Sequence, residues 1–446
     1  MPPILALILC TVFVLILLWL DWQESPEVSP VSWIPTVWLL YTASKPMGLW
    51  FYTPGADTES GSPLDQIFMI SLFCLGLLIL AWRKWDWQET IYEHPWLVVL
   101  IVYMLLSIVW SDIPFVSFKR WIRELLAFAM ASVVLTEQNP RQTVISIFRR
   151  SAYILIPFSL LLIKYFPFYG VQYGRWSGSQ SWVGVTTQKN GLGRLCLIAS
   201  FYLVWMLVGR WRKRDIFWGS YQTYADIIVL SLAVFLLLGP GGAYSATAVA
   251  ALASGLLVYV GLLWMRSRKT GLEANTVTAL LACIVIIGTV TVFVGGATVG
   301  AFTSTLGRDD TLTGRTDVWD SLIPTVSNQP ILGAGFGGFW TPRTRAKYEI
   351  SEGHSGYLDV ILDIGFVGLF LVSIFLLSSC LRAYRELDRD FDWAALWLCY
   401  LFMVAIHNIT ESSLNSLTSH LTAVLLFLAI AYAPDSPALP HDEIGK

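Results

Sequence analysis

Charged side chains are scarce in this chain, so the places where they gather are informative. The richest stretch, around residues 303–355, carries Arg308, Arg315, Arg343, Arg345 and Lys347. The planar guanidinium suits phosphate oxygens, which points to an anionic ligand. The plainer explanation is a solvated loop in which arginine pairs with Asp309, Asp310 and Asp317. We favour that explanation for Arg343, Arg345 and Lys347, and function for Arg315 in Gly-Arg-Thr-Asp-Val-Trp. His354 follows close by. Imidazole titrates nearest neutrality and suits a general base, although a lone histidine is more often structural. Asp359 and Asp363 come next, one helical turn apart on an apolar stretch, where carboxylates are costly and usually functional; either could orient His354. The run Gly333–Gly338 supplies backbone able to approach a ligand closely. It lacks the strand–turn–helix context of a nucleotide-binding loop.

Two further groups stand apart. Lys189 and Asn190 open an apolar stretch that also holds Arg194, shortly after a loop containing Arg175. A helix N-terminus beside a lysine is a seat for phosphate. His407 and Glu411 are spaced to share one face of a helix end, with Asn408 between them. Two such groups without a third partner do not make a metal site, and no metal or cofactor is expected.

These groups must be positioned by elements of an unusual kind. Over 446 residues, 55% are hydrophobic and only 13% charged, about half the charged share of a soluble domain. The apolar residues arrive in blocks at about 4–20, 33–51, 66–82, 96–112, 121–137, 150–166, 190–209, 225–239, 246–265, 276–301, 356–381, 394–410 and 418–433. Each reaches or approaches the roughly 20 residues a membrane span needs. The expected fold is therefore an all-α, polytopic transmembrane helical bundle of about 12–13 spans with one large extracytoplasmic loop. Residues 1–302 form the first group of spans, 303–355 the loop that holds the site, and 356–446 the last spans and a short tail. Tryptophans at block ends, among them Trp19, Trp22, Trp82, Trp85, Trp87, Trp96 and Trp110, suit the headgroup level. The first block lacks a basic leader and a small-residue cleavage site, so it is expected to be retained as a span. All six cysteines lie in apolar blocks without metal or disulfide spacing, and a net charge of -2 gives no ground for a nucleic-acid partner.

Lysine and arginine alternate between loops. Arg83-Lys84, Arg141 with Arg149-Arg150, Arg210 to Arg214, Arg266 to Lys269, and Arg382 with Arg385 and Arg389 mark the cytoplasmic side. The loops at 167–189 and 303–353 then face outward. The C-terminus lies inside, and the parity of spans leaves the N-terminus open.

Three segments occur in a telling order: Gly314-Arg315…Trp319, Pro330-Ile331-Leu332-Gly333-Ala334-Gly335, and His354-Ser355-Gly356-Tyr357-Leu358…Asp363-Ile364-Gly365-Phe366-Val367-Gly368. Together they resemble the O-antigen ligase/polymerase superfamily, more closely its ExoQ-like exopolysaccharide-polymerase branch. Trp110-Ser111-Asp112-Ile113-Pro114, Gln188-Lys189-Asn190-x-Leu192-Gly193 and Asn408-x-x-Glu411-Ser412 fit the same branch.

The resemblance implies a metal-independent, GT-C-like glycosyltransferase in the bacterial inner membrane. Such an enzyme takes a glycan from a polyprenyl diphosphate on the periplasmic side and passes it to a glycan or lipid acceptor. It implies catalytic roles for His354 and Arg315; from the residues themselves, substrate contacts are expected at Lys189, Asn190, Arg194, Arg175, Asp363 and Glu411. Within the superfamily, polymerase and ligase to lipid A core or protein both remain open; a lipid-linked sugar flippase is the rival of a different class. The chain departs from the pattern at His354-Ser355, where the family carries His-Asn, and at Gln188, where it carries His. It also departs at Ser245-Ala246-Thr247, which lacks the usual basic residue.

Overall fold

The computed structural model describes residues 1–51, 62–173, 180–213, 220–239, 244–294 and 313–432. Arg175, Arg308, Asp309 and Asp310 lie outside them. Helices dominate: α1 (Pro3–Glu24), α2 (Trp33–Thr42), α3 (Met47–Trp50), α4 (Pro63–Trp82), α5 (Trp87–Glu93), α6 (Pro95–Ser107), α7 (Pro114–Leu135), α8 (Pro140–Tyr165), α9 (Pro167–Gly170), α10 (Lys189–Lys213), α11 (Tyr221–Leu238), α12 (Ala246–Arg268), α13 (Ala274–Val294), α14 (Thr313–Asn328), α15 (Pro342–Tyr348), α16 (Gly356–Glu386), α17 (Phe391–Thr410) and α18 (His420–Ile430). Among the described residues the one sheet is a short antiparallel pair, β1 (Val171–Tyr173) with β2 (Gln180–Trp182).

Local chemistry accounts for many of the helix starts. Proline opens α1, α4, α6, α7 and α8, at a position where its missing N–H costs nothing. In α4, Ser62 and Asp65 form a reciprocal capping box, satisfying two otherwise orphaned donors.

Among the described residues nine helices are long and apolar enough to cross a membrane, and the sharply bent pair α5–α6 makes a tenth. Three more run between the same two poles: α7, which is too charged for that criterion, and the short α2 and α18. By length and composition the described residues thus give nine spans, or ten with the bent pair, against about 12–13 expected. The short α2 and α18 lie inside the bundle, where Trp38 and Leu421 are fully buried. The outer ring is α1, α4, α12 and α13, whose exposed apolar faces carry Ile4, Ile8, Leu15, Ile67, Leu78, Leu257 and Ile286. Such faces suit lipid rather than water. The centre is α17, packed against α12, α13, α16 and α18.

One pole collects the basic clusters. Arg83 pairs with Glu137 at 2.7 Å, Arg141 with Glu386 at 2.6 Å and Asp390 at 2.9 Å, and Arg212 with Asp392 at 2.8 Å. Here one expectation is corrected. Arg149 and Arg150 do not lie in a loop but inside α8, which begins ten residues before the apolar block. Both are buried. Arg150 meets Asp21 of α1 at 2.7 Å, Arg149 pairs with Asp21 and Glu24, and Arg210 meets Asp226 at 2.6 Å. Because the far end of α1 is fastened at this pole, its first residues lie at the other.

The stretch expected as one large loop contains α14 and α15, joined by the glycine-rich run. That run settles against a break in α16, where Ile364 and Gly365 leave helical geometry and Gly365 takes φ +68°. A side chain there would collide with the Ile331 carbonyl. The backbone groups around the break are taken up by the run: Phe366 N donates to Pro330 O (2.9 Å), Val367 N to Ile331 O (3.2 Å), and Ala334 N to Leu362 O (3.0 Å). A broken helix at membrane depth is tolerated when neighbouring protein satisfies its freed groups. Tyr103 hydroxyl donates to Ile364 O at 3.0 Å, Trp110 Nε1 to Leu332 O at 3.3 Å, and Phe336 N to Ser107 Oγ at 2.9 Å. Three of the segments that carry the resemblance thus interlock. The glycine run is a clasp between α6 and α16, and its backbone is largely committed to the protein itself.

Candidate active site

At the pole opposite the paired arginines, four distant segments converge. Glu411 follows α17 directly and is fully buried. Its carboxylate pairs with Arg315, in the first turn of α14, and accepts from Asn190 Nδ2, in the first turn of α10, at 2.5 Å. Its carbonyl accepts from Gly356 N at 3.0 Å, which brings the start of α16 alongside. Gly356 allows that approach, since a Cβ there would overlap the Asn408 side chain. Asn408 in turn shapes the turn after α17. Its Oδ1 accepts from Ser413 N at 2.8 Å and Leu414 N at 3.0 Å.

His354 stands immediately before this junction. It adopts φ +50°, a left-handed conformation unusual for a side chain with a Cβ. Its Nδ1 lies 3.5 Å from Glu352 Oε1, and Gln188 Nε2 donates to the same oxygen at 3.4 Å. Burial holds the imidazole below the usual histidine range; nearby Arg315 acts in the same direction, while the Glu352 carboxylate opposes them. A neutral imidazole at neutral pH can accept a proton.

Glu352, His354 and Glu411 each place one donor atom within 4.8 Å of the others. Three such groups are enough to begin a cation site, and this trio replaces the His407–Glu411 pair considered from sequence. His407 is fully buried on α17, with both ring nitrogens lacking a hydrogen-bond partner. An ion there would share Glu411 with the Arg315 guanidinium. We therefore read the cluster as proton-handling and anion-handling chemistry.

The remaining expected residues separate into two sets. Lys189 begins α10 beside Asn190 and, with Arg194, stands close enough for its charge to act on Glu411. Arg194 also donates to Ser419 Oγ at 2.9 Å in the turn before α18. Asp363 is elsewhere. It accepts from Phe339 N at 3.1 Å and sits beside Arg120 and Arg345, within the clasp. Neither it nor Asp359 reaches the His354 ring among the described residues; Asp359 bonds to Gly353 N, Trp340 Nε1 and Ser412 Oγ. With no bond to the imidazole among the described residues, either carboxylate could orient it only through other groups. The carboxylate that does face it is Glu352, which the sequence reading passed over. Its position two residues before His354 was the available signal, but proximity in a loop does not specify which way a side chain turns.

Two comparisons with known proteins bear on the family. Residues 227–373 match the family described as O-Antigen ligase, a stretch that includes Arg315, His354, Asp359 and Asp363 but neither the start of α10 nor Glu411. The chain is also 24% identical over 330 residues to the exopolysaccharide production protein ExoQ of Rhizobium meliloti (strain 1021), covering 67% of this chain and 68% of that protein. Together the two matches support the resemblance carried by the motifs: this multi-pass membrane protein is similar to the O-antigen ligase/polymerase superfamily and, within it, to the exopolysaccharide-production branch.

Proposed function

We propose that the protein is a membrane glycosyltransferase of the bacterial inner membrane that polymerises an exopolysaccharide or O-antigen. The donor is a glycan on a polyprenyl diphosphate, the acceptor a glycan hydroxyl, and the reaction face periplasmic. One observation carries the reading: His354, Arg315, Glu411 and Asn190, far apart in sequence, meet at the pole opposite the basic clusters. Lys189 and Arg194 add positive charge at its edge.

The chemistry needs two things. A lipid diphosphate is a good leaving group, so its departure calls for positive charge more than for an acid. Arg315, Lys189 and Arg194 supply that charge, with donors aimed where negative charge grows. To bind, the diphosphate must compete with Glu411 for Arg315. The acceptor hydroxyl must also lose its proton as it attacks the anomeric carbon. His354, neutral and half-buried, takes that proton, and attack from the face opposite the leaving group inverts the centre. No step requires a metal. Arg175 is proposed as a further phosphate contact, and Asp363 supports the site through the clasp.

Transfer from a synthetic undecaprenyl-diphosphate oligosaccharide by the purified protein tests the proposal. A ladder of products is expected. Single addition to a lipid A core acceptor would instead make the chain a ligase, a reading favoured by the description of the matched family. Movement of the donor across proteoliposomes without transfer would make it a flippase and overturn the assignment.

A further inference from the structure

Asp359 lies one turn into α16 and is fully buried. A carboxylate at such a depth is expensive, and its contacts show what it holds together. Oδ1 accepts from Gly353 N at 3.0 Å and from Trp340 Nε1 at 2.9 Å. Oδ2 accepts from Gly353 N at 3.2 Å and from Ser412 Oγ. Gly353 precedes His354, Ser412 follows Glu411, and Trp340 ends the segment that clasps α16. One carboxylate therefore ties down the chain on both sides of the candidate site.

The same backbone is gripped from the other direction. Trp319 Nε1 donates to Gly353 O at 2.9 Å, and Trp319 is one helical turn along α14 from Arg315. On the far side of His354, Ser355 is fully buried and its hydroxyl donates to Asn408 O at 3.4 Å. His354 is thus suspended between two immobilised neighbours in a left-handed conformation that it would not adopt by preference. Its own ring nitrogen makes no hydrogen bond that would set the geometry. The placement comes from the backbone.

We infer that Asp359 is a positioning residue for the proposed transfer: by clamping Gly353 and Ser412 it holds His354 opposite Glu411 without touching either side chain. The inference rests on the glycosyltransferase reading. The acid lets both oxygens accept, so that Gly353 N is held by the two together while Trp340 Nε1 and the Ser412 hydroxyl take one each. Asparagine would keep one oxygen for Gly353 N and Trp340 Nε1 and donate its NH2 to the Ser412 hydroxyl, losing the second contact to Gly353 N.

The test uses purified full-length protein and two readouts. In the transfer assay, Asp359→Ala should lower kcat about 100-fold, the cost of roughly 1 Å of misplacement at a reacting group, with the donor KM little changed. Asp359→Asn should recover about tenfold of that loss by keeping one acceptor. In the second readout, modification by diethyl pyrocarbonate is followed at each histidine by mass spectrometry, without substrate. Labelling of half-buried His354 should quicken by about threefold or more in Asp359→Ala as its backbone loosens, while buried His94, His407 and His420 stay protected. Unchanged His354 labelling, or a kcat within twofold of wild type, overturns the inference, as does a loss that falls equally on KM. If Asp359→Ala fails to accumulate, Asp359→Asn decides on the same two measurements, with wild-type values in both counting against the role. Wild-type protein that makes no product would refute the glycosyltransferase reading, while the labelling arm would still judge the clamp.

Discussion

The two poles of the bundle use the same residue types to opposite ends. At the basic pole, Arg149, Arg150 and Arg210 are buried or nearly so, and each meets a carboxylate on another helix: Asp21, Glu24 or Asp226. Tyr153 hydroxyl adds a 2.5 Å bond to Asp226, and each charge meets an opposite one, although Arg149 Nε itself is buried without a hydrogen-bond partner. At the other pole, Glu411 Oε2, Arg194 Nε, His354 Nδ1 and both His407 nitrogens are buried without a hydrogen-bond partner. Leaving such groups unsatisfied costs about 1–3 kcal/mol each, and an orphan group in a native fold calls for an explanation. A set of closed ion pairs fastens α1, α8, α10 and α11 together. A set of open ones, gathered around a neutral histidine and a guanidinium, suits a site that a charged substrate completes.

That contrast can be broken in several places. The largest effect is expected from His354→Ala, which should abolish detectable polymer formation while the amount of folded protein holds. A general base contributes about 10²–10⁴-fold, so normal chain length in this variant would remove His354 from the mechanism. At the basic pole the loss should fall on stability. Arg149→Met leaves Glu24 with Arg210 alone and Asp21 with Arg150 alone and should cost up to about 3 kcal/mol, seen as a lower thermal midpoint in detergent. Specific activity of the protein that remains folded should be near wild type; a matching loss of kcat would mean that the poles are coupled.

Arg315→Lys should have an intermediate effect, lowering kcat/KM about tenfold or more, because an ammonium cannot reproduce the planar fork. Near-normal kinetics would make Arg315 a structural partner of Glu411 only. The smallest effect is on pH dependence. Only the neutral imidazole can accept a proton, and burial lowers the pKa of His354 from 6.5. The acid limb of kcat/KM should therefore lie below pH 6.5. Glu352 raises that pKa, so Glu352→Gln should move the limb further toward acid, and a shift toward alkali would contradict the arrangement.

Much of the architecture was legible in the residues because the cause is local. A hydrocarbon core requires every span to satisfy its own backbone, and the requirement appears as apolar blocks with basic flanks. Where the reading slipped, charge was the reason. Arg149 and Arg150 looked like loop residues because nothing in a window of hydropathy shows that Asp21 will neutralise them inside the bundle. Lys45 similarly interrupted the second block; it is half-buried and donates to Tyr169 O, Gly184 O and Thr186 O at 2.6–2.8 Å.

The site divides along the same line. His354 and Arg315 could be picked out because a histidine beside an apolar span and an arginine in an outward loop are locally improbable. Glu411 and Asn190 could be singled out too, but not the pairing among them. Glu411 reaches Arg315 across 96 residues of sequence and Asn190 reaches Glu411 across 221, and the glycine run, which looked like a ligand-facing loop, serves α16. From composition and periodicity alone, this chain had to be a bundle of helices in a bilayer, with its unusual charges at one face. Which carboxylate pairs with which cation, and which is left to hold backbone, depends on how distant helix ends meet. Only the packed structure decides that, because an ion pair is a matter of distance in space and carries no signature in local spacing.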